Sequence, residues 1–399
     1  MRYITHVRIY MSLKKLFGGL FARFFNFDAE TASVSATPYL VIANHVTNFD
    51  PILLAIAFDK HMYFVAGEHL YRGNFIMRLA TFLFSPISRV KGKSGATTTV
   101  KILKTLKSGA NVCLFAEGNT TFNGITDPVS QSTSKLARIS GATLVTYRIE
   151  GAYLASPRWG RGLRGGPISG RIVNIYSPEK LQTMTEQEVT DAINNDIYEN
   201  AFERQADDPK KYTGKRLAER LELALYICPK CEKIGTLKSM DNTFFCECGF
   251  SAKFGETGFF EGKDLPFTTI SEWDAWQDAR LTALAEQLPK EPLFSDRDFI
   301  LKKVLDTHKA VKEARGKLAM SAYELICGNR RFPIEKITGM AIHGRANLVF
   351  NVGSDYYELR PVTPQCARKY YTFYNKLKEV HRRRRQNKTY GSETRFANE

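Results

Sequence analysis

The sequence YLVIANHVTNFDP, residues 39–51, determines how the rest of the chain is interpreted. Its first five residues are apolar and predict a buried strand, which ends at Asn44-His45. A short polar turn follows, and Asp50-Pro51 predicts the start of a helix with Asp50 as its N-cap. The stretch therefore places an imidazole at a strand end, and a turn can bring the Asp50 carboxylate beside it.

A second apolar run, NVCLFAEG over residues 111–118, ends in Glu117-Gly118. From residue 39 to about 206, short apolar runs alternate with helical stretches, which is the pattern of an α/β sheet. The carboxyl ends of buried strands face the ligand crevice in such sheets, so we expect Glu117 to face it too.

Composition limits the class of protein. The 399 residues are 43% hydrophobic, which is enough for two or three domains. A net charge of +16 indicates an anionic partner: a membrane surface, a nucleic acid or a phosphorylated substrate. Seven cysteines without a secretory signal pattern indicate a reducing compartment. There is no apolar run of about 18 residues, so we expect a protein that is cytosolic or lies on a membrane face, and we favour a peripheral location on the cytoplasmic side of a membrane.

The N-terminal segment, residues 1–29, is interpreted as an amphipathic helix. Apolar residues, mostly Phe and Leu, recur at three-and-four spacing from Met11 to Phe27, with basic residues off that stripe. This pattern is typical of a helix that lies in the interface of an anionic membrane. The alternative is a first helix that packs in the core.

Taken together, Asn44-His45, Asp50 and the block FAEG, residues 115–118, resemble the glycerolipid acyltransferase family typified by lysophosphatidic acid acyltransferase. The resemblance covers residues 30–210, with weaker counterparts at 85–89 and 142–147. It implies transfer of an acyl group from acyl-CoA or acyl carrier protein to the hydroxyl of lysophosphatidate, in phospholipid synthesis. His45 would act as general base, and Asp50 would orient it.

The resemblance also implies an acceptor-binding site. Its residues would be Asn44, Glu117, Gly118, Asn119 and Thr120, with main-chain N–H groups around Gly118 as anion donors. The family usually has an arginine where this chain has Thr120, and that arginine would bind the acceptor phosphate. We favour Arg89 and Lys91 as its replacement, with Arg148 as a further candidate.

Two other stretches can each be interpreted in more than one way. The apolar stretch 74–84 predicts a helix that packs in the core, lines an acyl-chain tunnel or contacts lipid. The loop PRWGRGLRGGP, residues 157–167, suits either contact with bilayer headgroups or a flexible connection.

Residues 211–262 are interpreted as a linker helix, from Arg216 to Leu225, and a zinc ribbon. Two close cysteine pairs are the expected ligands of a structural zinc ion: Cys228, Cys231, Cys246 and Cys248. Disulfides or free thiols are the alternatives. The other three cysteines lie in apolar surroundings and are assigned to the core.

The C-terminal part begins with a helical connector, residues 263–292, for which Ser271 is the expected cap. Seven short strand patterns and a closing helix from Pro364 to about Val380 resemble a pleckstrin-homology-like domain over residues 293–380. Residues 381–399 are expected to be a disordered basic tail, which either assists docking to a membrane or has no role.

The sequence thus predicts an α/β acyltransferase domain, with a mixed sheet flanked by helices, a small zinc ribbon and a mainly-β C-terminal domain. Other acceptors remain open, namely another lysophospholipid or glycerol 3-phosphate, as does a catalytically weakened lipid-binding relative. The alternative from a different functional class is a zinc-ribbon protein that binds nucleic acid. We expect no nucleic acid partner, because the positive charge is spread along the chain and no recognition helix stands out.

Overall fold

The computed structural model describes residues 3–67, 85–89, 95–305 and 309–396, with side chains from residue 5 to residue 384 within those ranges. It divides into two compact units. The N-terminal unit comprises Met1–Leu217 and Gly255–Phe259, and the C-terminal unit comprises Ala218–Phe254 and Phe260–Glu399. The cysteine-rich segment and the C-terminal β region, expected as separate domains, lie in the same unit.

The N-terminal unit is built on a seven-stranded sheet in the order β1-β7-β6-β2-β5-β3-β4. Strand β7 is antiparallel to β6, whereas β6, β2, β5, β3 and β4 are parallel neighbours. This arrangement confirms the predicted mixed sheet. The strands are β1 (Phe27–Ala29), β2 (Tyr39–Ala43), β3 (Met62–Gly67), β4 (Ile87–Arg89), β5 (Asn111–Phe115), β6 (Thr143–Glu150) and β7 (Ile168–Tyr176).

Helices flank this sheet. They are α1 (Tyr3–Phe25), α2 (Asp50–Ala57), α3 (Ala96–Lys107), α4 (Gln131–Ile139), α5 (Ala152–Ala155), α6 (Pro178–Thr183), α7 (Glu186–Ile197) and α8 (Ala201–Asp207). Helix α7 ends at Ile197, and the side chain of Asn200 accepts from the N–H groups of Phe202 and Glu203 and caps α8. The helix predicted over 74–84 lies outside the described residues.

The apolar residues of the strands explain why helices pack on both faces of the first sheet. Leu40 and Ile42 of β2 point to one face, where they belong to a buried cluster with Ile102 of α3 and Ile193 of α7. Tyr39 has the opposite parity in the strand, and its ring contacts the Phe58 ring that follows α2. Burial on both faces accounts for the continuous apolar runs that predicted these strands.

The loop over residues 157–167 is packed into the N-terminal unit at Trp159 and Arg164, so these two side chains do not face bilayer headgroups and the loop is not simply a flexible connection. Trp159 is fully buried, and its Nε1 donates to the hydroxyl of Tyr153 over 3.1 Å. The buried guanidinium of Arg164 donates to the carbonyls of Leu154 and Leu217. The Arg164 cation thus hydrogen-bonds interior carbonyls, and the composition of the loop does not distinguish this role from lipid contact.

The C-terminal unit starts with an irregular segment where a helix from Arg216 to Leu225 was predicted. Only a short 3-10 turn forms at Leu221–Leu223, because Arg220 before it adopts a left-handed φ of 74° that cannot continue a helix. A small sheet follows in the order β11-β10-β9-β8. Its strands are β8 (Leu237–Met240), β9 (Thr243–Cys246), β10 (Ser251–Phe254) and β11 (Phe260–Glu261).

Helix α9 (Ile270–Glu286) is capped by Thr269, two residues before the predicted Ser271. Thr269 accepts from the N–H of Glu272, and the Glu272 side chain accepts from the N–H of Thr269, which is a capping box. The predicted cap was wrong because the helix begins before Ser271.

A seven-stranded antiparallel sheet completes the C-terminal unit in the order β15-β14-β13-β12-β18-β17-β16. Its strands are β12 (Phe294–Val304), β13 (Ala310–Met320), β14 (Glu324–Cys327), β15 (Arg330–Pro333), β16 (Ile337–His343), β17 (Asn347–Val352) and β18 (Asp355–Pro361). The closing helix α10 spans Ala367–Phe396. The expected disorder from residue 381 is therefore wrong as far as Phe396, since Lys and Arg are good helix formers.

Candidate active site

The ends of β2 and β5 meet at the centre of the first sheet. The two strands are parallel neighbours with Ala43 opposite Phe115, and two further residues along each chain bring His45 opposite Glu117. In the strand order, β3 lies beyond β5 and β6 lies beyond β2. The connections that leave β2 and β5 therefore run in opposite directions along the sheet. This is a topological switch point, where ligands bind in open α/β sheets.

Asp50 holds the imidazole of His45. Its Oδ2 lies 2.8 Å from Nδ1 of His45 and accepts from the N–H of Val46 over 2.7 Å. Oδ1 accepts from the N–H of Thr47 at 3.0 Å and from its hydroxyl at 2.5 Å. The predicted N-cap role is wrong, because Phe49 occupies the cap position and no side chain caps α2. The carboxylate instead faces the turn before the helix and is fully committed to His45 and that turn.

The His45 ring is partly exposed while its partner is not. The side chain of His45 is 21% exposed and that of Asp50 is 0% exposed. The ring stacks on Phe115 with centroids 4.5 Å apart. Nε2 has no hydrogen-bond partner among the residues that the structure describes. An imidazole with Nδ1 bound by a carboxylate and Nε2 open is arranged to accept a proton from a ligand.

Glu117 binds the main chain of the same residue. Its Oε1 accepts from the N–H of His45 over 2.5 Å, and Oε2 accepts from the N–H of Asp127 over 2.9 Å. Burial raises the pKa of the Glu117 carboxyl well above its usual range, although these two N–H groups oppose the shift. Both oxygens are occupied, so Glu117 positions the segment that carries the imidazole.

The turn after β5 fastens the other side of His45. The N–H of Thr121 donates to the carbonyl of His45 over 3.1 Å. Gly118 has a φ of 75°, which favours glycine, and its N–H donates to the carbonyl of Phe115 over 3.3 Å. The N–H of Gly118 itself is thus bonded to the main chain, and the expected anion-donor role of the N–H groups around it stays a prediction. Asn119, between these residues, is half-buried.

Thr120, which stands in the place of the family arginine, is buried and lies beside an arginine from elsewhere in the chain. Nη1 of Arg158 donates to the carbonyl of Thr120 over 2.8 Å, and its guanidinium lies 4.1 Å above the Phe122 ring. Sequence reasoning missed Arg158. It lies in the loop assigned to lipid or linker, and its spacing from Thr120 carries no signal.

Of the predicted cations that the structure describes, Arg89 is the one that reaches the turn. A Cβ built on Gly118 would lie 3.5 Å from Nη1 of Arg89, so the guanidinium packs against that glycine. Arg148 is engaged elsewhere, by Glu150 at 3.0 Å and by the carbonyl of Tyr198 at 3.0 Å. Lys91 lies outside the described residues.

Asn44, predicted to touch the acceptor, is buried and binds the backbone of β6. Its Nδ2 donates to the carbonyl of Ile149 over 2.8 Å, and its Oδ1 accepts from the N–H of Ile149 over 2.8 Å. The amide group is therefore committed to the main chain and fixes the position of the next residue, His45.

Helix α1 presents apolar side chains to solvent beside this site. The exposed set is Leu16, Phe17, Leu20, Phe21 and Phe24, with Leu16 72% exposed. The next residue, Phe25, is buried and stacks on Phe49 at 4.5 Å, adjacent to Asp50. Within the described residues, no helix has the length and apolarity needed to cross a bilayer.

The four predicted cysteine ligands converge in the C-terminal unit. Their Sγ atoms all lie within 4.8 Å of one another. The Sγ atoms of Cys228 and Cys248 are 3.6 Å apart, and those of Cys231 and Cys246 are 3.9 Å apart. All four are free cysteines in the structure, whereas a disulfide bond needs about 2.05 Å between its sulfurs. Tetrahedral ligation at about 2.3 Å places sulfurs about 3.8 Å apart, so the cluster fits zinc.

The structure thus places an imidazole that is bound by a buried carboxylate where two neighbouring parallel strands end. Residues 25–150 match the family model described as Acyltransferase. The acyltransferase match falls within the part of the chain, residues 30–210, where the resemblance was found, apart from its first five residues. A search of the curated proteins finds no match.

Among solved structures, the chain is similar to the 1-acyl-sn-glycerophosphate (LPA) acyltransferase PlsC from Thermotoga maritima. The sequence identity is 16% and the TM-score is 0.39. The similarity covers 50% of this chain and 79% of that chain.

Proposed function

We propose that the N-terminal unit transfers an acyl group from a thioester, acyl-CoA or acyl carrier protein, to the hydroxyl of lysophosphatidate. The observation that carries this proposal is the His45–Asp50 pair, with 2.8 Å between Nδ1 and Oδ2, inside a segment that matches the acyltransferase family. Phospholipid synthesis is the process in which this reaction belongs.

In this mechanism, Nε2 of His45 takes the proton of the acceptor hydroxyl as its oxygen attacks the thioester carbonyl. The buried carboxylate of Asp50 stabilises the imidazolium that results. The tetrahedral intermediate then collapses, the C–S bond breaks, and the thiolate leaves with the proton that Nε2 returns. A new ester and a free thiol are the products, and no covalent enzyme intermediate is needed.

Arg89 is the proposed anchor for the phosphate of the acceptor. Its guanidinium lies against Gly118, two residues before Thr120, and a guanidinium matches the geometry of a phosphate. Lys91 follows closely in the sequence and remains part of the proposal, together with the turn at Asn119 and Thr120. The occupied side chain of Arg148 makes it a weaker candidate.

The apolar face of α1 supports a peripheral location on an anionic membrane. Lys15 and Arg23 are exposed on the same helix, so apolar burial and charge attraction would act together. The stacking of Phe25 on Phe49 joins this helix to the turn that carries Asp50. A lipid acceptor would thus reach His45 directly from the membrane, on its cytoplasmic side.

The test uses purified full-length protein with acyl-CoA or an acyl carrier protein thioester and a panel of lysophosphatidate, glycerol 3-phosphate and lysophospholipids. We expect esterification of lysophosphatidate, and its loss in His45→Ala. The matched control is His343→Ala in the C-terminal unit, which should retain the wild-type rate. A His45→Ala rate close to wild type would refute the general-base role. Binding of these lipids with no turnover would favour the weakened, lipid-binding alternative.

For the C-terminal unit, we propose a structural zinc ion bound by Cys228, Cys231, Cys246 and Cys248. Thr236 lies with its hydroxyl 3.3 Å from Sγ of Cys246 and would hydrogen-bond that ligand. The ion would hold the small sheet together, since so short a segment has little core of its own. The seven antiparallel strands followed by α10 support a pleckstrin-homology-like identity for the rest of this unit.

Elemental analysis tests the zinc proposal. We expect about one zinc ion per chain in the protein as purified, and its loss in Cys231→Ser. Cys327→Ala, which changes a buried cysteine of the same unit outside the cluster, should keep the metal. Protein without zinc that unfolds at the same temperature as the metal-loaded form would rule out a structural ion.

A further inference from the structure

A basic groove lies at the edge of the first sheet, between β4 and α3. Its volume is about 480 Å³, which is within the usual range for ligand sites. Its polar lining is Ser88 of β4 with Lys101, Lys104 and Thr105 of α3 and Ser108 after it. We call this site the β4–α3 groove. None of its described lining residues is acidic.

The groove offers donors to an anion. Lys101 and Lys104 are three residues apart on α3, so their like charges lie side by side. Nζ of Lys101 donates to Oγ of Ser88 over 3.1 Å, which leaves the Ser88 hydroxyl proton for another acceptor. Lys104 has no ion-pair partner within the part of the chain that the structure describes. Thr105 and Ser108 donate to helix carbonyls instead.

The edge strand links the groove to the candidate active site. Ser88 lines the groove, and the next residue, Arg89, lies with its guanidinium against Gly118. A ligand with its phosphates in the groove would need a long arm that passes Arg89 and crosses the ends of β3 and β5 to reach His45 at the end of β2.

We propose that the β4–α3 groove binds the phosphates of a nucleotide thioester, so that the acyl donor is acyl-CoA. The inference rests on the proposed function, because it assigns the donor for the same site. Coenzyme A carries its phosphates on the adenosine end and its thioester on a flexible pantetheine arm. The two lysines bind the phosphates, and the arm delivers the thioester carbonyl to the hydroxyl that His45 deprotonates.

Direct binding tests the groove without catalysis. Adenosine 3′,5′-diphosphate is titrated into wild-type protein, into the double variant Lys101→Ala/Lys104→Ala and into Lys107→Ala. We expect the double variant to bind at least about tenfold more weakly, as removal of charged donors predicts. Lys107 lies on the same helix but outside the groove, so its variant should bind like wild type. Equal affinities in all three proteins, or no binding to any, would overturn the proposal.

Kinetics complete the test. In the double variant, the KM for acyl-CoA should rise about tenfold with kcat little changed, whereas the KM for acyl-pantetheine, which has no nucleotide, should stay constant. Equal losses with both donors would contradict a phosphate site. A defect confined to acyl carrier protein, without diphosphate binding, would assign the groove to that protein and overturn the inference. If no donor supports turnover while the diphosphate binds, the proposed function fails and the groove stands.

Discussion

The N–H of His45 donates to Oε1 of Glu117 over 2.5 Å, so the two predicted site residues are joined through the main chain and not through the imidazole. The turn that follows Glu117 also donates to the carbonyl of His45, through Thr121. Both sides of the His45 backbone are therefore held by the neighbouring strand end. The ring itself is held by its hydrogen bond to Asp50 and its stack on Phe115, which fix where its free nitrogen lies.

Replacing Asp50 by Asn tests the orientation of the imidazole. The amide keeps the shape of the carboxylate but carries no charge to stabilise an imidazolium, so we expect kcat to fall by about 10²–10⁴-fold. Initial rates with acyl-CoA and lysophosphatidate measure this. Asp59→Asn, just beyond the same helix, is the matched control and should stay within twofold of wild type. An Asp50→Asn variant as active as that control would contradict the proposed pair.

The pH dependence of the stability of the Glu117→Gln variant tests whether the pKa of Glu117 is raised. A carboxyl in an unfolded chain has a pKa of about 4.3, and burial raises it well above that in the folded protein. Folding therefore favours the neutral form of this carboxyl. The resulting contribution to the free energy of unfolding is fully present below about pH 4 and is lost as the pH rises through the folded pKa. Because Gln does not titrate, the variant should gain stability relative to wild type as the pH rises.

Denaturant unfolding of both proteins between pH 5 and pH 9 measures that difference. Glu203→Gln, at an exposed glutamate of α8, is the control and should differ from wild type by a constant amount. A pH-independent difference for Glu117→Gln would show that burial does not govern this carboxyl.

Arg158→Ala should loosen the turn that contains Thr120. The change removes the donor to the Thr120 carbonyl and the stack on Phe122, which should destabilise the protein by about 1–3 kcal/mol. We expect the KM for the acceptor to rise and Arg158→Lys to recover part of the loss. Thermal unfolding and acceptor kinetics check this, with Arg161→Ala, an exposed residue of the same loop, as control. A stability loss without a change in KM would limit Arg158 to a structural role.

Introducing Leu20→Glu with Phe24→Glu tests the apolar face of α1. Both side chains are 64% exposed, and each would lose about 1.5–3 kcal/mol of burial in a bilayer. We expect at least a tenfold weaker association with anionic vesicles in a sedimentation assay. Ile139→Glu changes another exposed apolar residue of the N-terminal unit and serves as control. Unchanged association of the double variant would assign α1 a role other than lipid contact.

The sequence predicted the elements whose signal is local. The apolar runs at 39–43 and 111–115 became β2 and β5, and the two cysteine pairs came together as expected. Parallel strands with matching ends also brought His45 beside Glu117. Strand alternation and close cysteine spacing are decided within a few residues, so the sequence alone carries them.

The sequence did not reveal features set by tertiary contacts. Arg158 reaches Thr120 across 38 positions, and Trp159 is buried through its bond to Tyr153. Likewise, nothing local distinguishes an Asp50 that caps its helix from one that turns back to His45. Each of these outcomes depends on which neighbouring element offers a partner, and that information lies in the fold.

The side chain of Asn44 also determines where the first sheet stops. By donating to and accepting from Ile149, it imitates one peptide unit of the ladder between β2 and β6 after the strand itself has ended. Asp at this position lacks the donor, and Gln places the same amide one methylene too far. The side chain of Asn44 therefore takes the place of a backbone peptide unit. It completes the hydrogen bonds between β2 and β6 while the main chain turns away at His45.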